Sequence, residues 1–171
     1  MLHLLSALAL LQAAPPAAPK PSDALPADWV AVPDDEVLVM TLVNGRTVSI
    51  RLAARYAPAP VTNIRALARA RWWDGETVYR VQDNYVVQWG DATEKKPLPP
   101  GVAANPPAEY HWPRYDAVTQ LTRADPYSSK AGHSADGWPL ATNGTVAWIP
   151  HCYGMVGVAR DLAPSTGSGG D

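Results

Sequence analysis

The sequence contains no phenylalanine and only one cysteine, Cys152. A single thiol cannot form a disulfide within the chain, so burial alone must hold the fold. Without Phe, the apolar bulk falls to seven Trp, seven Tyr and the aliphatic residues, and hydrophobic residues still make up 47% of the chain. Charge is sparse and nearly balanced. Fourteen Lys and Arg against 16 Asp and Glu give a formal net charge of −2. There is no basic field of the kind that holds a phosphate backbone, which excludes nucleic acid as the main partner. No apolar run reaches the roughly 18 residues that a membrane-spanning helix needs. Gly-rich phosphate loops, Walker-type motifs and a Ser-His-Asp arrangement are absent. His111 and His133 lack ligand spacing, and His151 and Cys152 are neighbours that a strand would point to opposite faces. No metal and no cofactor is expected.

Proline and glycine are plentiful. Eighteen Pro and 12 Gly spread over 171 residues imply many loops in one domain with appendages. The apolar run Met1–Gln12, followed by Ala13-Ala14-Pro15, has the length of a signal-peptide core and a cleavable small-residue site. It has no Lys or Arg before the core, and a buried N-terminal helix is the competing reading. The expectation is a signal peptide over 1–18, a Pro/Ala-rich linker over 19–35 and a periplasmic or secreted domain over 36–171.

Glu36 to Leu52 reads as a hairpin. Val37–Val43 leads into Asn44-Gly45, the pair preferred by type I′ turns, and Val48, Ile50 and Leu52 then alternate with Thr47, Ser49 and Arg51. The first strand is apolar at successive positions, which predicts cover on both sides. Ala59 to Trp72 is predicted helical, with Pro60 in its first turn, Val61, Ile64, Leu67 and Ala68 on one face, and Arg65, Arg69 and Arg71 outward. Lys95–Pro107 reads as loop, Glu109–Thr122 has room for one strand, and Asp125–Asp136 is polar and turn-rich. Trp112, Trp138 and Trp148 are too many aromatics for a solvated tail, and some are expected to pack on the rest of the domain.

The stretch that carries chemistry is Val78 to Asp91, Val-Tyr-Arg-Val-Gln-Asp-Asn-Tyr-Val-Val-Gln-Trp-Gly-Asp. Two Val- and Tyr-rich runs flank Asp83-Asn84, a strand, tight turn and strand. With the turn there, Arg80 and Gln88 lie nearly opposite each other. A guanidinium in an apolar hairpin faces water, a carboxylate such as Asp83 or Asp91, or a ligand.

An arginine at position 80, an aromatic five residues after it, two apolar residues, a glutamine and, one residue on, a Gly-Asp resemble the cyclophilin-type peptidyl-prolyl isomerases. Val78 and Trp89 depart from that pattern, where the family has an aromatic and a glycine. Pro60, Val61, Asn63 and Ile64 match the family's helix, though Thr62 sits among them. Gly154–Arg160 resembles its buried strand, and Pro164–Gly170 the Gly/Ser loop that follows. The resemblance implies a mainly β fold, a cyclophilin-like antiparallel β-barrel with a capping helix and an insertion at about 92–150. The family's later strands have no counterpart before Asp171, so the barrel is expected to be incomplete at its C-terminal end. The chain alone is then expected to be unstable and nearly inactive, and monomeric when completed.

Prolyl isomerisation needs no nucleophile, metal or proton shuttle. The barrier of about 18–20 kcal/mol comes from amide resonance, and the twisted state gives the proline nitrogen back a lone pair. By family match, Arg80 would donate to that nitrogen, Gln88 would hold the substrate carbonyl or orient Arg80, Tyr85 and Val86 would form a dry floor, and the backbone at Ala159 and Arg160 would pair with the peptide. Partners would be proline-containing peptides or unfolded clients of the export pathway. Two rival classes stand beside this: a non-catalytic peptide-binding or chaperone-like module on the same fold, and a Trp-rich carbohydrate-binding module with exposed, coplanar Trp residues.

Overall fold

A computed structural model describes residues 20–124 and 126–160. The expected signal peptide and the Pro164–Gly170 loop lie outside the described residues. The chain divides into two units, Met1–Ala31 and Val32–Asp171. In the first, two single 3₁₀ turns, Pro21–Asp23 and Pro26–Asp28, each begin with proline. The Asp23 and Asp28 carboxylates accept the N–H groups of Lys20 and Leu25 at 3.1 and 2.8 Å, and Leu25, Trp29 and Val30 are exposed.

Among its described residues the second unit is mainly β with one α-helix. Its strands are β1 (Val37–Thr41), β2 (Thr47–Arg51), β3 (Thr77–Gln82), β4 (Val86–Gly90), β5 (Thr119–Gln120), β6 (Lys130–His133), β7 (Pro139–Thr142) and β8 (Ala147–Trp148), with α1 (Pro58–Arg69) between β2 and β3. All pairings are antiparallel. They form the hairpins β1-β2 and β3-β4 and a four-stranded sheet in the order β5-β6-β7-β8. No closed barrel forms among the described residues.

The β1-β2 hairpin pairs Leu38 with Ile50 and Met40 with Val48. Its turn differs from the expected type I′. The N–H of Gly45 bonds to the carbonyl of Leu42, the N–H of Leu42 bonds to the carbonyl of Arg46, and only Gly45 has positive φ, +79°. Type I′ requires two successive positive φ angles. A three-residue loop with one left-handed glycine closes the same strands and leaves Asn44 in ordinary conformation. Nor is β1 covered on both faces: Val37 and Val39 are exposed, because only the Leu38 face has a packing partner. Leu38 and Leu52 line a cleft with Ile64 and Ala68 of α1. The preceding turn Asp34–Glu36, at the end of the expected linker, joins the domain through Asp35, whose carboxylate pairs with Arg65 at 2.9 Å.

Helix α1 starts with Pro58 and Pro60 in its first turn and ends before the expected Trp72. Arg71 turns left-handed at φ +55°. The N–H of Arg71 bonds to Ala68 and that of Trp72 to Leu67, both at 3.0 Å, a Schellman ending. A non-glycine residue there costs about 1–2 kcal/mol, and burial of Trp72 and Leu67 offsets it. Asn63, also buried, ties the helix to the following loop. Its amide donates to the carbonyl of Ala103 at 2.7 Å and accepts the N–H of Ala103 at 3.0 Å.

The stretch read as loop and insertion carries the largest sheet and much of the core. Asp125–Asp136, read as turns, supplies β6. Leu140, Ala141 and Ala147 are fully buried, and Tyr56, Trp138 and Leu140 form one buried cluster. Tyr56 meets Trp112 and Trp138 edge to face at 5.6 and 6.3 Å. Arg51 of β2 joins this sheet by donating to the carbonyl and carboxylate of Asp136 at 2.7 and 3.0 Å, with its guanidinium 4.7 Å from the Trp138 ring centre. The strand that the resemblance implies over Gly154–Arg160 does not form among the described residues. Residues 151–160 make one turn and are otherwise irregular and mostly exposed, with no strand pairing among the described residues.

The base of β3-β4 is held by charge. Asp91, buried directly after β4, accepts the Thr93 hydroxyl at 2.6 Å and the N–H groups of Thr93, Lys95 and Lys96 at 2.9, 2.7 and 2.6 Å. The Thr93 hydroxyl first, then the Lys96 and other backbone N–H groups, outweigh burial and hold this carboxyl well below the usual range. Lys96 reaches back to the Trp72 carbonyl and, at 2.6 Å, to Glu76, with its ammonium 4.8 Å from the Trp72 ring centre. Trp72 donates its indole N–H to Pro97 at 3.0 Å.

Two outcomes follow. A β-carbon at Gly132 in β6 would crowd the Thr119 carbonyl and lie 2.9 Å from the Tyr115 hydroxyl and 3.0 Å from the Ala117 β-carbon. Gly132→Ala is expected to lower stability by about 1–3 kcal/mol in denaturant unfolding, and an unchanged midpoint contradicts that packing. The depressed pKa of Asp91 gives stability that is present above its ordinary value of 3.8 and lost as pH falls further. Asp91→Asn is expected to be less stable at neutral pH and to lose less stability on acidification below about pH 4. Parallel stability–pH curves for the two proteins contradict this.

Candidate active site

The β3-β4 hairpin turns at Asp83-Asn84, and in its distal half the strands pair one residue beyond a two-residue turn, which sets Arg80 directly opposite Gln88. Gln82 pairs with Val86, Val81 with Val87 and Arg80 with Gln88. Tyr85 donates its N–H to Gln82 at 3.2 Å across Asp83-Asn84, and Asn84 takes φ +53°, which asparagine tolerates at the third position of a turn. Between Val78 and Arg80 the register slips. This bulge leaves Tyr79 outside the ladder, and bulges re-aim the side chains beside them.

Arg80 is thereby placed across from Gln88 and two residues from Gln82 on the same strand face. Its Nη1 donates to Gln88 Oε1 at 3.0 Å and its Nη2 to Gln82 Oε1 at 2.8 Å. The guanidinium carbon lies 5.8 Å from the centre of the Tyr85 ring. Among the described residues Arg80 has no ion-pair partner. Asp91, one of the two carboxylates within reach in sequence, is used by the 93–96 backbone. Two of the five guanidinium N–H donors are spent on neutral oxygens, and the rest stay available in a fixed fork.

The expected dry floor is not formed by this hairpin alone. Tyr85 is 75% exposed, Val86 half-buried and Val87 exposed. A two-stranded hairpin buries little by itself, and Tyr85 sits at its turn. Ala159 and Arg160 are not gathered to it. Both are exposed, and the Arg160 guanidinium stacks on Tyr110 with its carbon 3.3 Å from the ring centre. The structure therefore unites Arg80, Gln88 and Tyr85, with Val86 opposite Gln82. It adds Gln82, which the sequence reading passed over although its spacing from Arg80 puts the two on one strand face.

Elsewhere, no group of three or more His, Cys, Asp or Glu side chains is placed to hold a metal among the described residues. No described helix is long and apolar enough to cross a membrane. Trp72 and Trp138 are buried, and Trp72 meets Trp73 at an interplanar angle of 81°, so these three do not form an exposed coplanar platform.

The arrangement presents a charged fork, held in plane by two amide oxygens, beside apolar and aromatic side chains. A family model described as cyclophilin type peptidyl-prolyl cis-trans isomerase/CLD matches residues 37–169. No curated protein matches the chain. The matched residues extend from β1 past the helix, the Arg80 hairpin and the four-stranded sheet, and the chain belongs to the cyclophilin-type peptidyl-prolyl cis-trans isomerases, enzymes that act on the peptide bond before proline.

Proposed function

We propose that this isomerase acts on X-Pro bonds of exported proteins, and that Arg80 assists twisting of the prolyl amide. In either planar isomer the proline nitrogen's lone pair is delocalised into the carbonyl. Rotation by about a quarter turn localises it, and the nitrogen becomes a hydrogen-bond acceptor only then. A guanidinium N–H aimed at that position binds the twisted state better than either planar state, which is the condition for acceleration. Gln88 holds Arg80 in line and has an amide N–H₂ left for the substrate carbonyl. Tyr85 and Val86 lie where the proline ring would rest, and the peptide itself would cover what the hairpin leaves open.

The observation that carries this reading is the state of Arg80: fixed by two amide oxygens, without a carboxylate, on an exposed strand face. An arginine there for solubility alone would have no reason to be gripped at both tips. The export part rests on the apolar run Leu2–Leu11 and the small residues after it, which support secretion or periplasmic residence through a cleaved signal peptide.

In the native protein, Arg80→Ala is expected to slow isomerisation of an X-Pro peptide at least about tenfold, roughly 1.4 kcal/mol of barrier, with the fold retained. Arg80→Lys is expected to be poor as well, since a point charge lacks the planar fork. An Ala variant at the unaltered rate removes Arg80 from the mechanism. For export, mass spectrometry of the protein from its host is expected to find a new N-terminus between Gln12 and Ala18. Intact Met1 in a soluble cytoplasmic fraction overturns it.

A further inference from the structure

We propose that Gln82 is a positioning residue for Arg80, an inference that rests on the reading of Arg80 above. Four residues form a square on one face of the hairpin: Arg80 and Gln82 along β3, with Gln88 and Val86 opposite them on β4. The bulge at Tyr79 comes immediately before this square, so the regular alternation that aligns Arg80 with Gln82 begins at Arg80 itself.

The two amides grip different nitrogens. Gln88 takes Nη1 and Gln82 takes Nη2. A guanidinium held at one nitrogen still swings about that bond, whereas a second bond at the other tip fixes its plane. Held this way, an exposed arginine has little side-chain freedom left to lose when the peptide arrives. Catalysis by orientation depends on that order, because a small misplacement of the donor lowers the rate steeply.

The choice of an amide also matters. A carboxylate at position 82 would grip as well but would offset the charge that the twisted amide must feel. An amide oxygen orients the fork and leaves its full positive charge. The contact also has no evident folding role. Gln82 and Arg80 are both exposed, neither belongs to the buried cluster, and the hairpin is closed by its backbone ladder and its base. Val86, the proposed floor residue, lies directly across from Gln82, so the oxygen that steers Arg80 borders the place where the proline ring would sit.

A mutant cycle in the native protein tests this, with saturation kinetics on an X-Pro peptide for Gln82→Met, Arg80→Ala and the double variant. Methionine keeps the length of the side chain and removes the acceptor. Gln82→Met is expected to lower kcat about three- to tenfold with KM within about twofold, to leave the melting temperature unchanged, and to have no further effect in the Arg80→Ala background. If Arg80→Ala is slow while Gln82→Met keeps the original kcat, the Gln82 proposal fails and the Arg80 reading stands. If Arg80→Ala keeps the original rate, both fall. An equal loss from Gln82→Met in both backgrounds overturns the proposal, because the effect then does not pass through Arg80. Should Gln82→Met unfold, Gln82→Thr, a good strand former without the reach to Nη2, gives the same comparison.

Discussion

The position of the Arg80 hairpin depends on the charge clamp at its base. A two-stranded hairpin is at best marginally stable by itself, and this one buries few side chains along its length. At its foot, Asp91 collects four donors from residues 93–96, and Lys96 connects that loop to Glu76, just before β3, and to Trp72, just after α1. Trp72 closes the circuit through its indole N–H and through the helix ending it shares with Leu67. Both ends of the hairpin are thus tied to the helix, and the exposed half projects from a fixed root.

That division suits an enzyme for which the ligand supplies part of the site. The clamp uses full charges in partly buried surroundings, where they hold geometry. The tip uses neutral oxygens in water, where they set direction without cancelling charge. Apolar side chains along the hairpin, Val81, Tyr85 and Val87 among them, stay exposed. The four-stranded sheet has a different task. Its Tyr56–Trp138–Leu140 cluster and the Arg51 fork on Asp136 join the first hairpin to the second half of the domain, and neither touches the Arg80 fork.

The parts of this arrangement legible in the sequence were those governed by local chemistry. Asp83-Asn84 between two Val-rich runs marked the turn and put Arg80 nearly opposite Gln88, one residue short of the pairing that forms. Prolines and the Val61–Ile64–Leu67 spacing marked the helix, though not its end, because a left-handed Arg71 is not a residue that advertises a cap. The four-stranded sheet was hidden. Its strands are two to four residues long, and Lys-Ala-Gly-His in β6 shows no alternation. Gly132 is there because neighbouring backbone approaches closely, a tertiary fact. Gly154–Arg160 shows the reverse: residues that favour a strand form none without a partner to bond. Exposure was equally illegible, since the apolar run of β1 implied cover on both faces, yet Val37 and Val39 are exposed.

The central claim is that the Arg80 guanidinium, steered by glutamine amides, is the group that meets the prolyl bond. The most direct measurement is a titration of the native protein with an X-Pro peptide, followed by NMR of the arginine and glutamine side chains and by exchange between the peptide's cis and trans signals. The account predicts that catalysed exchange appears together with shifts of the Arg80 guanidinium and the Gln88 amide. Catalysed exchange with those two signals unmoved would contradict it.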